Sequence, residues 1–364
     1  MIRAALKWLG TLLLFAAVAV CFAPTIVPPF LDRIYYRGPS SDHFNGARFF
    51  NPATPAPRSV DPGRFFNRWA NSERAVWPEQ VPVRPTVPPR RVDSDAMLVT
   101  WIGHATVLVQ TGGLNIITDP IWSDRASPFS FIGPRRVRAP GVRFEDLPRI
   151  DLVLISHNHY DHMDLPTLRR LWDRDRPLIV TSLGNDAILR GQGIESVTRD
   201  WGGRVPVRPG IEVLVERNQH WGSRWGTDRN RALWSAFTIR LPGGNIFFAG
   251  DTGWGDGSWV SEAARHGPFR LAILPIGAYL PRDVMQPSHV DPDESFRIFT
   301  ALDPVRALGV HWGTFQLTFE GIDAPRRAIA ALASRNRVAP DRFLATEAGQ
   351  SFSVPLAAPP APGR

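Results

Sequence analysis

Four side chains of types that bind metal ions stand within six residues of each other, directly after a short apolar stretch. The stretch is Leu152–Ile155, and the four side chains are His157, His159, Asp161 and His162. His157 and His159 lie two apart in extended chain and project to the same side, while the other two follow in a turn and face a neighbouring ion. Three of the 9 histidines fall here, which disfavours a chance cluster or a hydrogen-bonded surface loop. The segment predicts two metal ions in one pocket.

Three further potential ligands follow later strand-like segments. They are His220, Asp251 and His311. A single histidine or aspartate at a strand end is more often an ordinary loop residue. Added to the histidine segment, however, the three complete a mixed set of imidazole and carboxylate ligands in which one carboxylate is shared. Such a set suits two ions about 3.5 Å apart.

Composition limits what else the chain can be. Its 364 residues are 43% hydrophobic and include 13 tryptophans, so it can bury a large core, which excludes a disordered or fibrous protein. The one cysteine, Cys21, precedes the predicted folded body Ala96–Val354. Thiolate metal sites and a catalytic cysteine are therefore excluded for the body, and any metal there must be bound by histidine, aspartate or glutamate.

The body alternates β-branched runs with helical runs, which predicts an α/β (α+β) domain of two sheet layers covered outside by helices. The first three strands, separated by glycine-containing turns, are expected to be antiparallel. The predicted strands are Met97–Trp101, Thr106–Gln110, Asn115–Thr118, Leu152–Ile155, Leu178–Val180, Glu212–Glu216, Leu233–Leu241, Ile246–Ala249, Leu271–Leu274 and Ala307–Val310. The predicted helices are Leu165–Trp172, Ala187–Gln192, Pro292–Leu302 and Pro325–Ser334.

Residues 1–30 have the layout of a signal peptide or a membrane anchor. Arg3 and Lys7 precede the apolar run Leu9–Phe22, which Pro24 stops. The run is short for a spanning helix, which needs about 20 residues, so cleavage and anchoring both stay open. The positive start favours a body in the periplasm or on the periplasmic face of the inner membrane, with a cytoplasmic, membrane-bound protein as the alternative.

Proline-rich regions flank the body. Residues 31–95 are predicted to be extended and to pack on the body at 96–354, and residues 355–364 are predicted to form a flexible tail. The net charge of +8 favours anionic partners such as lipid headgroups, and the absence of blocks of like charge argues against nucleic acid. A homodimer is neither indicated nor excluded.

The histidine segment, the turn Gly250–Gly253 and the later histidines resemble the metallo-β-lactamase superfamily, which implies its αββα sandwich. Longer strings resemble, in the same order, the family of N-acyl-phosphatidylethanolamine-hydrolysing phospholipases D. These strings are Thr100–Thr106, Thr118–Ile121, Arg125–Pro128, Ile155–His162, Pro275–Tyr279, His289–Pro292 and His311–Phe315. Two departures are the segment Tyr35–Pro89, which is similar to bacterial members, and Ser288, where the family pattern leads us to expect glutamine.

The resemblance implies two zinc ions per chain, with iron or manganese as alternatives. It places His157, His159 and His220 on one ion. It places Asp161, His162 and His311 on the other, with Asp251 bridging both. Asp161 is also expected to orient the attacking hydroxide and accept its proton.

Other residues are candidates for substrate contact or for support of the ligands. His289 precedes the predicted helix at Pro292 and has two interpretations, a catalytic contact with phosphate or leaving group and a helix-entry histidine bonded to backbone. His104 is expected to support ligands rather than bind metal. The loop Ser127–Arg138 mixes apolar and arginine side chains and is expected to contact lipid, with a buried apolar turn as the alternative. The candidates for substrate binding are Tyr279, Arg135, Arg136, Phe129 and Phe131.

The function that these observations favour is a zinc-dependent phosphodiesterase of phospholipase D type. It would hydrolyse N-acyl-phosphatidylethanolamine-like lipids to phosphatidic acid and N-acylethanolamine. One alternative is another hydrolase of the same fold, such as a lactonase, a generic phosphodiesterase or a β-lactamase-like enzyme. Another is a non-catalytic, zinc-stabilised binding protein at the membrane, which the open bridging position disfavours because structural zinc sites close their coordination.

Overall fold

The computed structural model describes residues 7–19, 33–52, 67–68, 70–71 and 74–357. Cys21, Pro24 and residues 358–364 lie outside the described residues, as does the end of the apolar run. Residues 7–19 form a helix whose apolar side chains, such as Trp8 and Phe15, are exposed. Within the described part of the chain, no helix has the length and apolar character needed to cross a membrane.

Among the described residues, the strands form two seven-stranded mixed sheets. The order in the first sheet is β14-β1-β2-β3-β4-β5-β6 and in the second β13-β12-β11-β10-β9-β8-β7. The strands are β1 Met97–Gly103, β2 Thr106–Thr111, β3 Leu114–Thr118, β4 Leu152–Ile155, β5 Leu178–Ser182, β6 Val197–Arg199, β7 Arg204–Arg208, β8 Ile211–Glu216, β9 Ala236–Arg240, β10 Asn245–Phe248, β11 Phe269–Pro275, β12 Arg306–Val310, β13 Phe343–Leu344 and β14 Ser351–Val354.

Helices cover the outer faces of the sheets, which confirms the predicted αββα sandwich. The sequence of strand β4 is apolar at every position because both of its faces are covered. Leu152 and Leu154 pack in the core between the sheets, while Val153 and Ile155 pack in the core beneath the helices. Both faces of this strand are therefore buried. The helices of the body are α1 Leu165–Asp175, α2 Asn185–Arg190, α3 Ser258–Ala264, α4 Arg282–Met285, α5 Pro292–Leu302 and α6 Ala324–Arg335, with a 3-10 turn at Phe144–Asp146.

The start of the predicted strand Leu233–Leu241 differs from the structure. Its first three residues lie in a loop, because their backbone groups bond to the residues directly after β5 and β4: Leu233 N donates to Leu183 O and Ser235 N donates to Ser156 O. The first three strands are antiparallel, as predicted. Short or arginine-rich elements escaped prediction, since β6, β7, β13 and β14 have few apolar residues at a clear period.

The described parts of the N-terminal region lie against the body. One part, residues 33–52, contacts the loop that follows β8, where Phe49 N donates to Asn230 O. The next part bonds along the body through Val81 N to Val137 O and Thr86 N to Gly141 O. At the other end, Ala357 N donates to Gly243 O in the turn between β9 and β10, so the body's contacts extend to residue 357.

Candidate metal centre

The predicted ligands converge at the carboxyl ends of four strands. The histidine segment follows β4, His220 follows β8, Asp251 follows β10 and His311 follows β12, so one edge of the sandwich collects side chains far apart in sequence. Four sets of ligand atoms each lie within 4.8 Å of one another. The sets are His157, His159 and His220; His157, His162 and Asp251; His104, Asp161, His162 and His311; and His220, Asp251 and His289.

The first subsite consists of three imidazoles. His157 Nε2 lies 2.8 Å from His159 Nδ1, and His220 Nε2 lies 3.4 Å from the same atom. The rings of His157 and His220 meet edge to face with centroids 4.5 Å apart. Three nitrogen lone pairs thus point into one small volume, as the assignment to a shared ion requires.

The second subsite combines two imidazoles with two carboxylates. His162 Nε2 lies 3.4 Å from Asp161 Oδ2 and 3.2 Å from Asp251 Oδ2. His311 Nε2 lies 3.4 Å and 3.0 Å from the same two oxygens. Asp251 Oδ2 also lies 3.9 Å from His220 Nε2 in the first subsite. Asp251 therefore stands between the two subsites, where a bridging ligand belongs.

The spacing and the unpartnered atoms of this cluster fit divalent cations. Ligand atoms about 2 Å from a shared tetrahedral ion lie about 3.3 Å from each other, close to the separations above. Several buried polar atoms of the cluster have no hydrogen-bond partner among the described residues, which is costly for buried polar groups. They include His162 Nε2 and His311 Nε2, which face the second subsite, and Oδ1, the second carboxylate oxygen of Asp251.

The buried carboxylates of the pocket favour positive charge beside them. Burial raises the pKa of Asp251, but the neighbouring His162 and His311 outweigh it and hold the pKa well below its ordinary value. Burial lowers the pKa of His311, yet Asp251 and Asp161 raise it to about 9. Bound cations would supply this charge and leave the imidazoles neutral, the state in which histidine coordinates metal.

Carbonyl and carboxylate partners orient two of the ligand rings. Asp119 Oδ2 lies 2.6 Å from His162 Nδ1, and Asp119 also accepts hydrogen bonds from the backbone and hydroxyl of Ser156. His220 Nδ1 lies 2.9 Å from Ser288 O. Because Nδ1 donates in each case, Nε2 is the nitrogen that faces the site. Sequence reasoning noted the string Thr118–Ile121 without assigning Asp119 a role, although its position after β3, beside β4, was an available signal.

A left-handed turn places Asp251 at the centre. Gly250 has φ +58, and a Cβ there would lie 2.6 Å from Ser156 Cβ, so the position favours glycine for both conformation and space. Asn218 Nδ2 donates to Ala249 O and Asp251 O, at 2.8 and 2.9 Å. The turn is thereby held between β4 and β8, the strands that deliver the histidines.

Replacement of Asp119 by alanine is expected to weaken metal binding by roughly 10- to 100-fold, because His162 loses the partner that fixes its tautomer and ring orientation. Competition with a chromophoric chelator measures the affinity. Asp173→Ala, which removes an exposed carboxylate of α1 paired with Arg169, is the control. Unchanged affinity in the Asp119 variant would contradict the role assigned to this carboxylate.

His104 and His289 flank the ligands in different ways. His104 Nε2 lies 2.9 Å from Asp161 Oδ2, where it can orient that carboxylate. His289 lies at the opposite side, with Nδ1 3.9 Å from Asp251 Oδ2 and its ring 5.1 Å from that of His220. Burial lowers the pKa of His289 to about 4. Its ring therefore faces the cluster in the neutral form, which favours the interpretation as a site residue.

The side chains predicted to contact substrate differ in how far they are exposed to solvent. Phe129 and Phe131 are 49% and 76% exposed with ring centroids 5.5 Å apart, so this part of the loop is not a buried apolar turn. Arg135 is exposed beside them. Tyr279 is half-buried, and burial with the nearby Glu320 raises its pKa to about 12. The structure does not place Tyr279 in the metal cluster.

Arg136 does not fit the expected contact with a lipid headgroup. Its Nε and Nη2 donate to the carbonyl oxygens of Ser123 and Ile121, at 3.1 and 2.9 Å. Its guanidinium lies 4.8 Å from the ring centroid of Phe315 and is buried. The side chain joins two loops inside the body. The arginine-rich loop pattern could not reveal this, since alternate residues of the loop face opposite sides.

The fold and the site together define a metal-dependent hydrolase of the metallo-β-lactamase type. A family model described as a β-lactamase superfamily domain matches residues 114–312, which is more than half of the chain, and the chain belongs to that superfamily. It is 34% identical to N-acyl-phosphatidylethanolamine-hydrolyzing phospholipase D 1 of Caenorhabditis elegans over 78% of this chain and 83% of that protein. It is 33% identical to the mitochondrial enzyme of the same name from Saccharomyces cerevisiae, over 64% of this chain and 51% of that protein.

Solved structures support the fold at lower identity. A metallo hydrolase from Ignicoccus hospitalis superposes with a TM-score of 0.54 at 21% identity, covering 71% of this chain and 98% of that chain. An isothiocyanate hydrolase from Delia radicum gut bacteria superposes with a TM-score of 0.55 at 22% identity, covering 71% and 100%. These neighbours share the αββα sandwich, and a shared fold does not define a substrate.

Proposed function

We propose that this protein is a zinc-dependent phosphodiesterase of phospholipase D type acting on N-acyl-phosphatidylethanolamine-like lipids. The observation that carries the proposal is the 34% identity to an enzyme named for this hydrolysis, over 78% of the chain. The range 114–312 that the superfamily model matches includes the whole ligand cluster. The expected products are phosphatidic acid and an N-acylethanolamine.

Zinc is the proposed metal because of its place in the affinity order of divalent ions and because of the family resemblance, since imidazole and carboxylate donors do not select it by themselves. His157, His159 and His220 would hold one ion, and Asp161, His162 and His311 the other, with Asp251 shared. Iron and manganese accept similar donors and remain the alternatives. When bound, the two ions would lower the pKa of a water in the site towards neutrality and would stabilise the charge on the phosphoryl oxygens.

Asp161 is the residue proposed to orient the attacking water. Burial raises the pKa of this carboxyl, but His162 and His104 outweigh burial and hold the pKa well below its ordinary value. The group is therefore ionised at neutral pH and accepts a hydrogen bond from water. The bond from His104 Nε2 fixes one oxygen and thereby the direction of the carboxylate.

His289 is proposed to donate a hydrogen bond to a phosphoryl oxygen of the substrate. It is neutral at pH 7 because burial lowers its pKa to about 4, and its Nδ1 faces the cluster without a partner among the described residues. The N–H of a neutral imidazole can donate this hydrogen bond and so stabilise the negative charge that develops on the phosphoryl oxygen. Protonation of the leaving alkoxide is the less favoured role, because the imidazolium form is scarce at this pH.

The exposed aromatic loop provides a surface for the lipid. Phe129, Phe131 and Ile132 are all about half or more exposed, and exposed apolar side chains in a cluster indicate an interaction site. The neighbouring Arg135 is available for phosphate groups. We propose that these side chains enter the acyl region of a membrane while the metal centre takes the headgroup.

Combined replacement of Phe129 and Phe131 by serine is expected to weaken binding to anionic liposomes about tenfold or more, through loss of buried apolar area in the bilayer. Sedimentation with liposomes measures binding. Hydrolysis of a small water-soluble phosphodiester should not change, which separates lipid contact from damage to the centre. Unaltered liposome binding would remove the loop from the proposal.

We also propose that the protein is associated with a membrane and exported, with a cytoplasmic, membrane-bound location as the alternative. The apolar, exposed side chains of the helix at 7–19 support membrane association. Cell fractionation followed by carbonate extraction tests association, and protease accessibility in intact spheroplasts distinguishes the two faces of the membrane.

The proposed reaction is tested with purified, metal-loaded protein and mixed micelles. N-acyl-phosphatidylethanolamine, plain phosphatidylethanolamine, a lactone and a β-lactam are offered separately, and products are identified by mass spectrometry. We expect phosphatidic acid and N-acylethanolamine from the first substrate, and none after treatment with chelator. Turnover of the lactone or the β-lactam alone would favour another hydrolase of this fold. No turnover by fully loaded protein would favour the non-catalytic binding protein.

A further inference from the structure

The segment 33–52 is built into the loop that carries His220. Phe44 and Phe49 are buried in one apolar cluster with Leu233 and Trp234. Phe49 N donates to Asn230 O, and further bonds from this segment reach the same loop. The segment ends in the string Arg48–Pro52, and none of these residues has a role in the proposed reaction. Its last described asparagine, Asn51, lies against the metal centre.

Asn51 joins two backbone regions through the two ends of its amide. Its Nδ2 donates to His220 O at 2.9 Å, and its Oδ1 accepts from Trp234 Nε1 at 3.0 Å. The orientation of the amide is determined by its partners, because a carbonyl can only accept and an indole N–H can only donate. No other residue type of this size offers both a donor and an acceptor in this arrangement.

Trp234 connects this amide to the base of the histidine segment. Its side chain is fully buried, and its carbonyl oxygen accepts from Trp201 Nε1 at 2.8 Å. The next residue, Ser235, donates its N–H to Ser156 O, directly before His157. Asn51 thus ties the chain at His220 to a rigid point next to the first histidine of the same subsite.

We propose that Asn51 is a positioning residue that holds His220 for metal binding. Ser288 O accepts a hydrogen bond from the ring of His220 and fixes the direction of the ring. Asn51 donates to the backbone carbonyl of His220 and fixes the position of the backbone that carries the ring. Loss of the amide lets the backbone at His220 move away from His157 and His159. Partners of this kind change metal affinity by about 10- to 100-fold. The inference rests on the metal centre and is independent of the substrate.

The test compares Asn51→Ala and Asn51→Asp with Asn245→Ala in the full chain. Asn245 is the matched control because it is also half-buried, accepts from Leu241 N and donates to His266 O. It is the first residue of β10, and about 20 Å of extended chain separates it from Asp251, so its loss should not reach the metal centre. The aspartate variant keeps the acceptor for Trp234 but sets an oxygen against His220 O, so it removes the support without opening a cavity.

Each protein is loaded with Co²⁺ or Zn²⁺, and affinity is measured by chelator competition together with the visible Co²⁺ spectrum. We expect both Asn51 variants to bind one of the two ions about 10- to 100-fold more weakly with an altered Co²⁺ band, while Asn245→Ala keeps both properties and loses a similar amount of thermal stability. Wild-type affinity and spectrum in Asn51→Asp would overturn the proposal. An equal loss of affinity in Asn245→Ala would do the same, since the effect would then be general destabilisation. If Asn51→Ala is insoluble, the metal affinity and Co²⁺ spectrum of Asn51→Asp alone test the proposal.

Discussion

The Asp251→Ala variant is expected to lose at least about 10³-fold in rate of hydrolysis and to retain fewer than two metal ions per chain. Asp251 Oδ2 lies 3.2 Å from His162 Nε2, 3.0 Å from His311 Nε2 and 3.9 Å from His220 Nε2, so its removal takes a ligand from both subsites. The imidazoles would remain, but the carboxylate that attracts cations between them would not. Metal ions in such sites supply several kcal/mol of transition-state stabilisation, and each 1.36 kcal/mol corresponds to about tenfold in rate.

Elemental analysis and turnover of the purified Asp251 variant measure this prediction. Asp256→Ala is the matched control, because this exposed carboxylate follows in the same loop and bonds to the N–H and hydroxyl of Ser258 rather than facing the cluster. Circular dichroism establishes that both variants are folded. Wild-type turnover or full metal content in the Asp251 variant would remove the basis of the metal-centre assignment.

The His289→Ala variant is expected to lose about 10²- to 10³-fold in kcat, as enzymes do when one donor to a developing oxyanion is removed. Metal content should stay close to that of the wild type, because the two subsites are complete without this ring. At pH 7 the wild-type ring is neutral, since burial lowers its pKa to about 4. A hydrogen bond to the phosphoryl oxygen does not involve the leaving group, so the loss should be the same for poor and good leaving groups.

A series of phosphodiesters that differ in the pKa of the leaving alcohol distinguishes the roles of His289. Equal losses across the series support hydrogen bonding to the phosphoryl group. A loss confined to poor leaving groups would instead assign His289 to protonation of the alkoxide. His266→Ala is the control, because His266 pairs with Glu216 away from the cluster. An unchanged kcat would return His289 to the helix-entry interpretation.

The ligands could be predicted from sequence because the pattern that identifies them is local. His157 to His162 follow a run that is apolar on both faces, and the alternation of an extended chain already determines that His157 and His159 point the same way. The predicted bounds of helix α5 match the structure, where Asp291 and Glu294 form a capping box at its start. Signals of this kind require no knowledge of distant contacts.

Asp119 and Asn51 were not predicted as supporting residues because their partners are distant in sequence. Asp119 acts on His162 across 43 residues, and Asn51 acts on His220 across 169. Arg136 is similar, since only the position of Phe315 against it decides that its guanidinium lies inside the body. A carboxylate, an amide or a guanidinium in a loop has the same local appearance whether it faces solvent or a buried carbonyl.

The amino-acid sequence alone determined the class of chemistry and the layered fold, because metal-ligand types and apolar periodicity are properties of short segments. Only the tertiary structure decided which atoms meet. The separation of Asp251 from three imidazoles, the neutral state of His289 and the attachment of Asn51 to the chain at His220 all depend on two sheets packing face to face. Hydrogen bonds and charge interactions act over a few ångströms, and only the folded chain brings these groups within that range.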